Sequence, residues 1–191
     1  MKRTLLAPAL ALAALGPAQA AQAQQACVAP EDAADAVVYA MPAAYDATLK
    51  RCKSEFGEES FLTSADGSNF AEQFRTQQDQ RWAGTFRFLK VFISAQSRGE
   101  GDEGMGEMIA AMPEESLRPF VDGILGQMIA DQIKTDTCGK IDEAAQLLSP
   151  LPPENVGGLV AFTLGLVDLD NPPVCGASGT VEVAPEGPLS E

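Results

Sequence analysis

The sequence contains no histidine. That absence takes the imidazole base out of every nucleophilic arrangement, so neither a Ser-His-Asp nor a Cys-His catalytic set can be built. It also removes histidine-ligated zinc and haem. Positive charge is scarce: 13 Lys and Arg face 27 Asp and Glu, a formal charge of −14 over 191 residues. A phosphate backbone is bound through clustered Lys and Arg, so this balance argues against a nucleic-acid partner. No Cys-x-x-Cys occurs, which argues against a four-thiolate metal site. No apolar run reaches the roughly 20 residues that cross a bilayer. What is present is a hydrophobic fraction of 46%, ordinary for a soluble globular chain and too high for wholesale disorder.

The N-terminus reads as an export signal. Lys2 and Arg3 precede an uncharged stretch from Leu5 to Leu15, then Gly16 and Pro17, then the small-x-small site Ala18-Gln19-Ala20. A second such site, Ala21-Gln22-Ala23, places cleavage near Ala20–Ala23. Residues 1–20 are therefore predicted to be a signal peptide, and the chain periplasmic or secreted with no transmembrane anchor. Loss of Lys2 and Arg3 would take the charge from −14 to −16. Gln24, Gln25 and Ala26 before Cys27 do not fit a bacterial lipoprotein signal.

Four cysteines remain: Cys27, Cys52, Cys138 and Cys175. An even count in an exported chain predicts two disulfides. Their pairing follows from the helices expected around them. Residues 21–29 read as a flexible leader. Pro30-Glu31-Asp32 starts a helix, with Pro at N1 and acids in the first turn. Pro42 is expected to break it, and Ala43 to Phe56 to form a second, antiparallel helix closed by Gly57. That hairpin brings Cys27 to Cys52. A helix running straight through Pro42 would instead hold the two about 37 Å apart, too far to bond. By the same logic, helices over Gly139–Leu148 and Glu154–Val167, joined by the Pro150–Pro153 turn, bring Cys138 to Cys175.

Between the hairpins, Asn69 and Glu72 resemble a capping box opening a helix from Phe70 to Gln96. It carries six of the twelve aromatic residues on one face, which predicts a long central core helix over about 70–96. A Gly/acid hinge follows at 98–106, then a short helix at Glu107–Met112. A helix over Phe120–Lys134 should bury Phe120, Val121, Ile124, Leu125, Met128, Ile129 and Ile133, leaving Gly123, Gly126 and Ala130 as a flat surface for a neighbour. Residues 176–191 read as a disordered tail. The expectation is an all-α fold: a small bundle of about six helices built on one long central helix, with two disulfide-closed hairpins, in a single domain over 30–175.

Chemistry-bearing groups are few. Glu58-Glu59, Glu114-Glu115, Asp142-Glu143 and Asp168/Asp170 are the carboxylate candidates, and solvated surface accounts for them. Asp66-Gly67-Ser68-Asn69 and Asp168-Leu169-Asp170-Asn171 are oxygen-rich turns without the spacing of a calcium loop. No catalytic, metal or cofactor residue is assigned. Arg81 falls within the apolar arc of its helix, so Arg81 and its neighbour Trp82 are the candidate ligand or anion contact. Val156–Val167 (VGGLVAFTLGLV) carries no charge; it is expected to be a buried helix or to wall an apolar pocket, with Gly157, Gly158 and Gly165 allowing close approach.

Charge is divided unevenly. Residues 21–98 hold 8 basic and 10 acidic groups, whereas 99–191 hold 3 and 17. Such a half attracts basic partners and repels anionic surfaces. Together these features favour a non-enzymatic periplasmic binding or protein-interaction module. A carrier of an apolar or amphiphilic ligand between helices is the alternative, ahead of a histidine-free carboxylate hydrolase or lyase acting on envelope material.

Overall fold

The structure, a computed structural model, describes residues 27–96, 111–167 and 172–176. The signal region, the 98–106 hinge, most of the Glu107–Met112 helix, Asp168/Asp170 and the tail beyond Gly176 lie outside the described residues. The fold is all-α, as expected: six α-helices and no strand among the described residues. They are α1 (Pro30–Arg51), α2 (Ala65–Arg75), α3 (Gln78–Gln96), α4 (Glu114–Gln132), α5 (Cys138–Leu148) and α6 (Pro153–Leu166).

The central helix is α1, not the segment 70–96. It begins as the sequence indicates, with Pro30 in the first turn beside Glu31 and Asp32. It does not stop at Pro42. A proline inside a helix removes one backbone hydrogen bond and crowds the preceding turn. Here Pro42 is itself buried, and Val38, Tyr39 and Tyr45 are buried on both sides of it. Packing along the whole rod outweighs the local penalty. Neighbours on several sides keep it continuous, since α2, α3, α4 and α6 all pack on α1.

The continuous α1 overturns the expected disulfides. Cys27 and Cys52 sit at opposite ends of it. Cys27 bonds Cys175, and Cys52 bonds Cys138. The bridges therefore tie the two ends of the bundle rather than closing two hairpins. At one end a short strap lies against the segment just before α1: Val28 N–H donates to Pro173 O at 2.8 Å and Cys175 N–H to Val28 O at 2.8 Å. At the other end Cys52 and Cys138 are fully buried with Ala47 and Ile133.

The expected 70–96 helix is two helices. The first starts earlier than Asn69, where the Ser64 hydroxyl accepts the Gly67 amide at 3.1 Å. The break falls at Thr76–Gln77. No fully buried side chain lies between Phe74 and Trp82 to hold the halves in line. The turn lets α2 put Phe70 and Phe74 against Tyr45, while α3 puts Trp82 against Tyr39.

Helices α1 and α3 run antiparallel, and polar ties set their register. Arg87 forks onto Asp32 with contacts of 2.7, 3.0 and 3.2 Å. Arg81 reaches Asp35 at 3.0 Å, and the Gln78 side chain donates to Tyr39 O at 3.0 Å. Gly84 is required between them: a Cβ there would lie 2.1 Å from the Asp35 carboxylate. Gly157 plays the same part between α1 and α6, where a Cβ would lie 2.7 Å from Ala34 O and 2.8 Å from Val38 Cγ2.

Two helices are less buried than their composition indicates. Helix α4 starts at Glu114, before the expected Phe120, and buries Leu117 and Val121. Phe120, Ile124 and Met128, expected inside, are 47%, 39% and 59% exposed. Helix α6 buries Val156, Gly157 and Ala161, but Leu159, Phe162, Leu166 and the following Val167 are exposed. One helix lying on one neighbour covers one stripe, so a helix that is apolar all round keeps an uncovered face.

Candidate functional site

Arg81 and Trp82 are consecutive on α3 and are not brought to a common site. The Arg81 guanidinium donates to Asp35 at 3.0 Å and to the Gln77 side chain at 2.8 and 3.3 Å. It is a helix–helix tie, with its donors directed at this chain's own groups. Trp82 is buried, its ring 5.1 Å from Tyr39 and 6.2 Å from Phe86 between centroids.

Around Trp82 the structure assembles a polar cluster that sequence reasoning missed. The buried Tyr39 hydroxyl donates to Asp122. It accepts from Arg118 Nε at 3.3 Å, and Arg118 Nη2 reaches Asp79 at 2.5 Å. The same guanidinium lies 5.7 Å from the centroids of both the Tyr39 and Trp82 rings. Burial, then the Asp122 carboxylate, pushes the Tyr39 phenol up to about 12. A phenol held protonated is a poor base or nucleophile near neutrality, so the cluster is a three-helix clamp. Its parts lie on α1, α3 and α4, separated in sequence by up to 83 residues, which no local pattern reveals.

The carboxylate candidates do not converge. Asp142 accepts the backbone amides of Phe61 and Leu62 at 3.1 and 2.8 Å, capping the short 3₁₀ turn Phe61–Thr63. Glu58 and Glu59 are exposed, and Glu114 and Glu115 occupy the first turn of α4, where the helix dipole favours acids. Among the described residues no group of three or more Asp, Glu or Cys is disposed to hold a metal ion.

What the fold does build is a groove. It lies between the first turns of α1 and the second half of α6, and the strap closes one side. Pro30, Glu31 and Ala34 form one wall. Gly158, Ala161, Phe162, Gly165 and Leu166 form the other, and Val174, Cys175 and Gly176 the third. Its volume is about 480 Å³, within the range of small-ligand sites. Phe162 and Leu166 stand 63% and 65% exposed along its rim. Gly176, with φ +76°, takes a left-handed backbone conformation that favours glycine and turns the chain at its edge.

The adjacent Gly157 and Gly158 of α6 divide the work. Gly157 admits α1, whereas a Cβ at Gly158 would meet nothing within 4 Å. The lack of charge over Val156–Val167 pointed to this wall. The other two walls were hidden because long-range contacts bring them there: α1 by packing on α6 and the strap by the Cys27–Cys175 bond. The two disulfides indicate an oxidising environment. No helix of the described residues is long and apolar enough to cross a membrane. No family model, curated protein or solved structure matches the chain at a significant level.

Proposed function

We propose that this is an exported, non-enzymatic binding module, and that its contact surface is the groove between α1 and α6 with the apolar rim beside it. The observation that carries the reading is the exposed apolar face of α6. Leu159, Phe162, Leu166 and Val167 recur within one arc of the helix and leave contiguous apolar area in water. Such a patch marks a surface that a partner covers. The signal-like N-terminus and the disulfides support a periplasmic or secreted location. The described carboxylates have structural or surface positions, which supports binding rather than catalysis.

The test uses the oxidised protein and an uncharged naphthylamine dye that fluoresces in apolar surroundings. The dye should bind with one-to-one stoichiometry, and Phe162→Ser with Leu166→Ser should remove that binding at unchanged helical circular dichroism. Binding untouched by the two substitutions would refute the assignment of the surface. A second reading, a carrier of a small amphiphile, is favoured by the groove's volume. It predicts that solvent extraction of the purified protein releases a stoichiometric lipid-like molecule visible by mass spectrometry.

A further inference from the structure

We infer that the groove takes a basic, apolar-faced helix of a partner protein, an assignment that rests on the reading just given and names the partner's chemistry. Shape comes first. Gly158 and Ala161, one turn apart on α6, present almost no side chain, and among the described residues nothing fills the space over Gly158. A helix backbone can approach that surface closely while its apolar residues, spaced three and four apart, pack on Phe162 and Leu166.

Charge supplies the sign. The ionisable side chain in the groove is Glu31, which is exposed and makes no ion pair among the described residues. Its neighbours on α1, Asp32 and Asp35, are already matched by Arg87 and Arg81. Across from Glu31, α6 ends with no basic residue in its last turn. The terminal carbonyls of a helix carry a partial negative charge that a cation stabilises. Helix α6 contains no Lys or Arg, and α1 has none before Lys50. A chain of charge −14 also repels a second copy of itself and an anionic bilayer. A second open apolar groove, between α4 and α5 along Met128, Ile133 and Ile141, holds no charged residue that would identify an occupant.

The experiment uses two synthetic amphipathic helices that share one leucine face, the first with lysine and the second with glutamate on its polar face. Anisotropy titrations are run against the full oxidised chain. The lysine peptide should bind at least about tenfold more tightly than the glutamate peptide, and more weakly as salt rises. Gly158→Leu, which fills the groove from a position with open space above its Cβ, should weaken the lysine peptide about tenfold or more without lowering the melting temperature. Glu31→Gln should weaken it about two- to fivefold at low salt.

Equal binding of both peptides overturns the assignment. So does lysine-peptide binding indifferent to Gly158→Leu, which would be diffuse attraction to an acidic surface. A dimer in sedimentation runs without peptide overturns it in favour of a second copy. Dye binding that Phe162→Ser removes, together with no charge preference between peptides, leaves the groove as the contact surface and rejects only the basic helix. Dye binding that Phe162→Ser leaves intact, together with no charge preference between peptides, rejects the groove as well.

Discussion

Removing the Cys27–Cys175 bond tests both the stability of the bundle and the construction of the groove. The bond joins positions 148 apart, and the Cys52–Cys138 bond, spanning 86, lies inside it. With the inner bond closed, the chain path that the outer one restrains shortens to about 62 residues. On the chain-entropy model a loop of that size contributes about 4 kcal/mol, less any strain in the folded state. Apart from the disulfide, two backbone hydrogen bonds and the buried Val28 and Val174 hold the strap to the segment before α1 among the described residues. In Cys27→Ser with Cys175→Ser the strap should therefore leave, taking one wall of the groove with it. At about 3 °C per kcal/mol for a domain of this size, the melting temperature should fall by about 10 °C. Thermal circular dichroism measures that fall, and dye binding measures the groove. Titration with a dithiol should reproduce the effect, because Cys27 and Cys175 are partly exposed and Cys52 and Cys138 are sealed. A fall under 2 °C with dye binding intact would refute the argument. So would reduction of the buried bond first.

Tyr39, whose phenol sits near 12 against an ordinary 10.0, keeps its proton in the folded state where the unfolded chain would lose it. Its contribution is complete below pH 10 and should decline as pH rises towards 12; urea denaturation across that range should show the fall, and Tyr39→Phe should flatten it. Arg87→Ala strands Asp32, which is only 8% exposed, and should cost about 1–3 kcal/mol by urea denaturation. Arg75→Ala, facing the well-exposed Asp46, should cost about 1 kcal/mol or less in the same assay. Gly157→Ala must push α6 off Ala34 and Val38 and should lower stability by about 1–3 kcal/mol, whereas Gly158→Ala should not.

The fold class was legible because it rests on local signals. Pro30 with Glu31 and Asp32 opens α1, and Pro153 with Glu154 opens α6, much where the pattern places them. What local signals could not decide was continuity. Pro42 is a helix breaker by its own chemistry, and only the burial of residues on both sides makes α1 run on. Thr76–Gln77 carries no breaker, yet the chain turns there because the flanking aromatics seek different parts of α1. The Cys27–Cys52 pairing depended on the first of these two points, and the Cys138–Cys175 pairing on a hairpin of α5 and α6; the observed bonds, Cys27–Cys175 and Cys52–Cys138, overturn both. The site was half legible for the same reason. The uncharged run Val156–Val167 marked one wall, while Glu31 reaches it through the packing of α1 on α6 and the strap through the Cys27–Cys175 bond.

The most direct test of the central claim is amide chemical-shift mapping of the oxidised, ¹⁵N-labelled protein titrated with the lysine-bearing helix. The account predicts saturable shifts concentrated at Pro30-adjacent Glu31, Ala34, Gly158, Ala161, Phe162, Leu166 and Val174–Gly176, with those of Gly123, Gly126 and Met128 on α4 unmoved. Shifts centred on α4, or spread over the acidic surface without saturation, would contradict it.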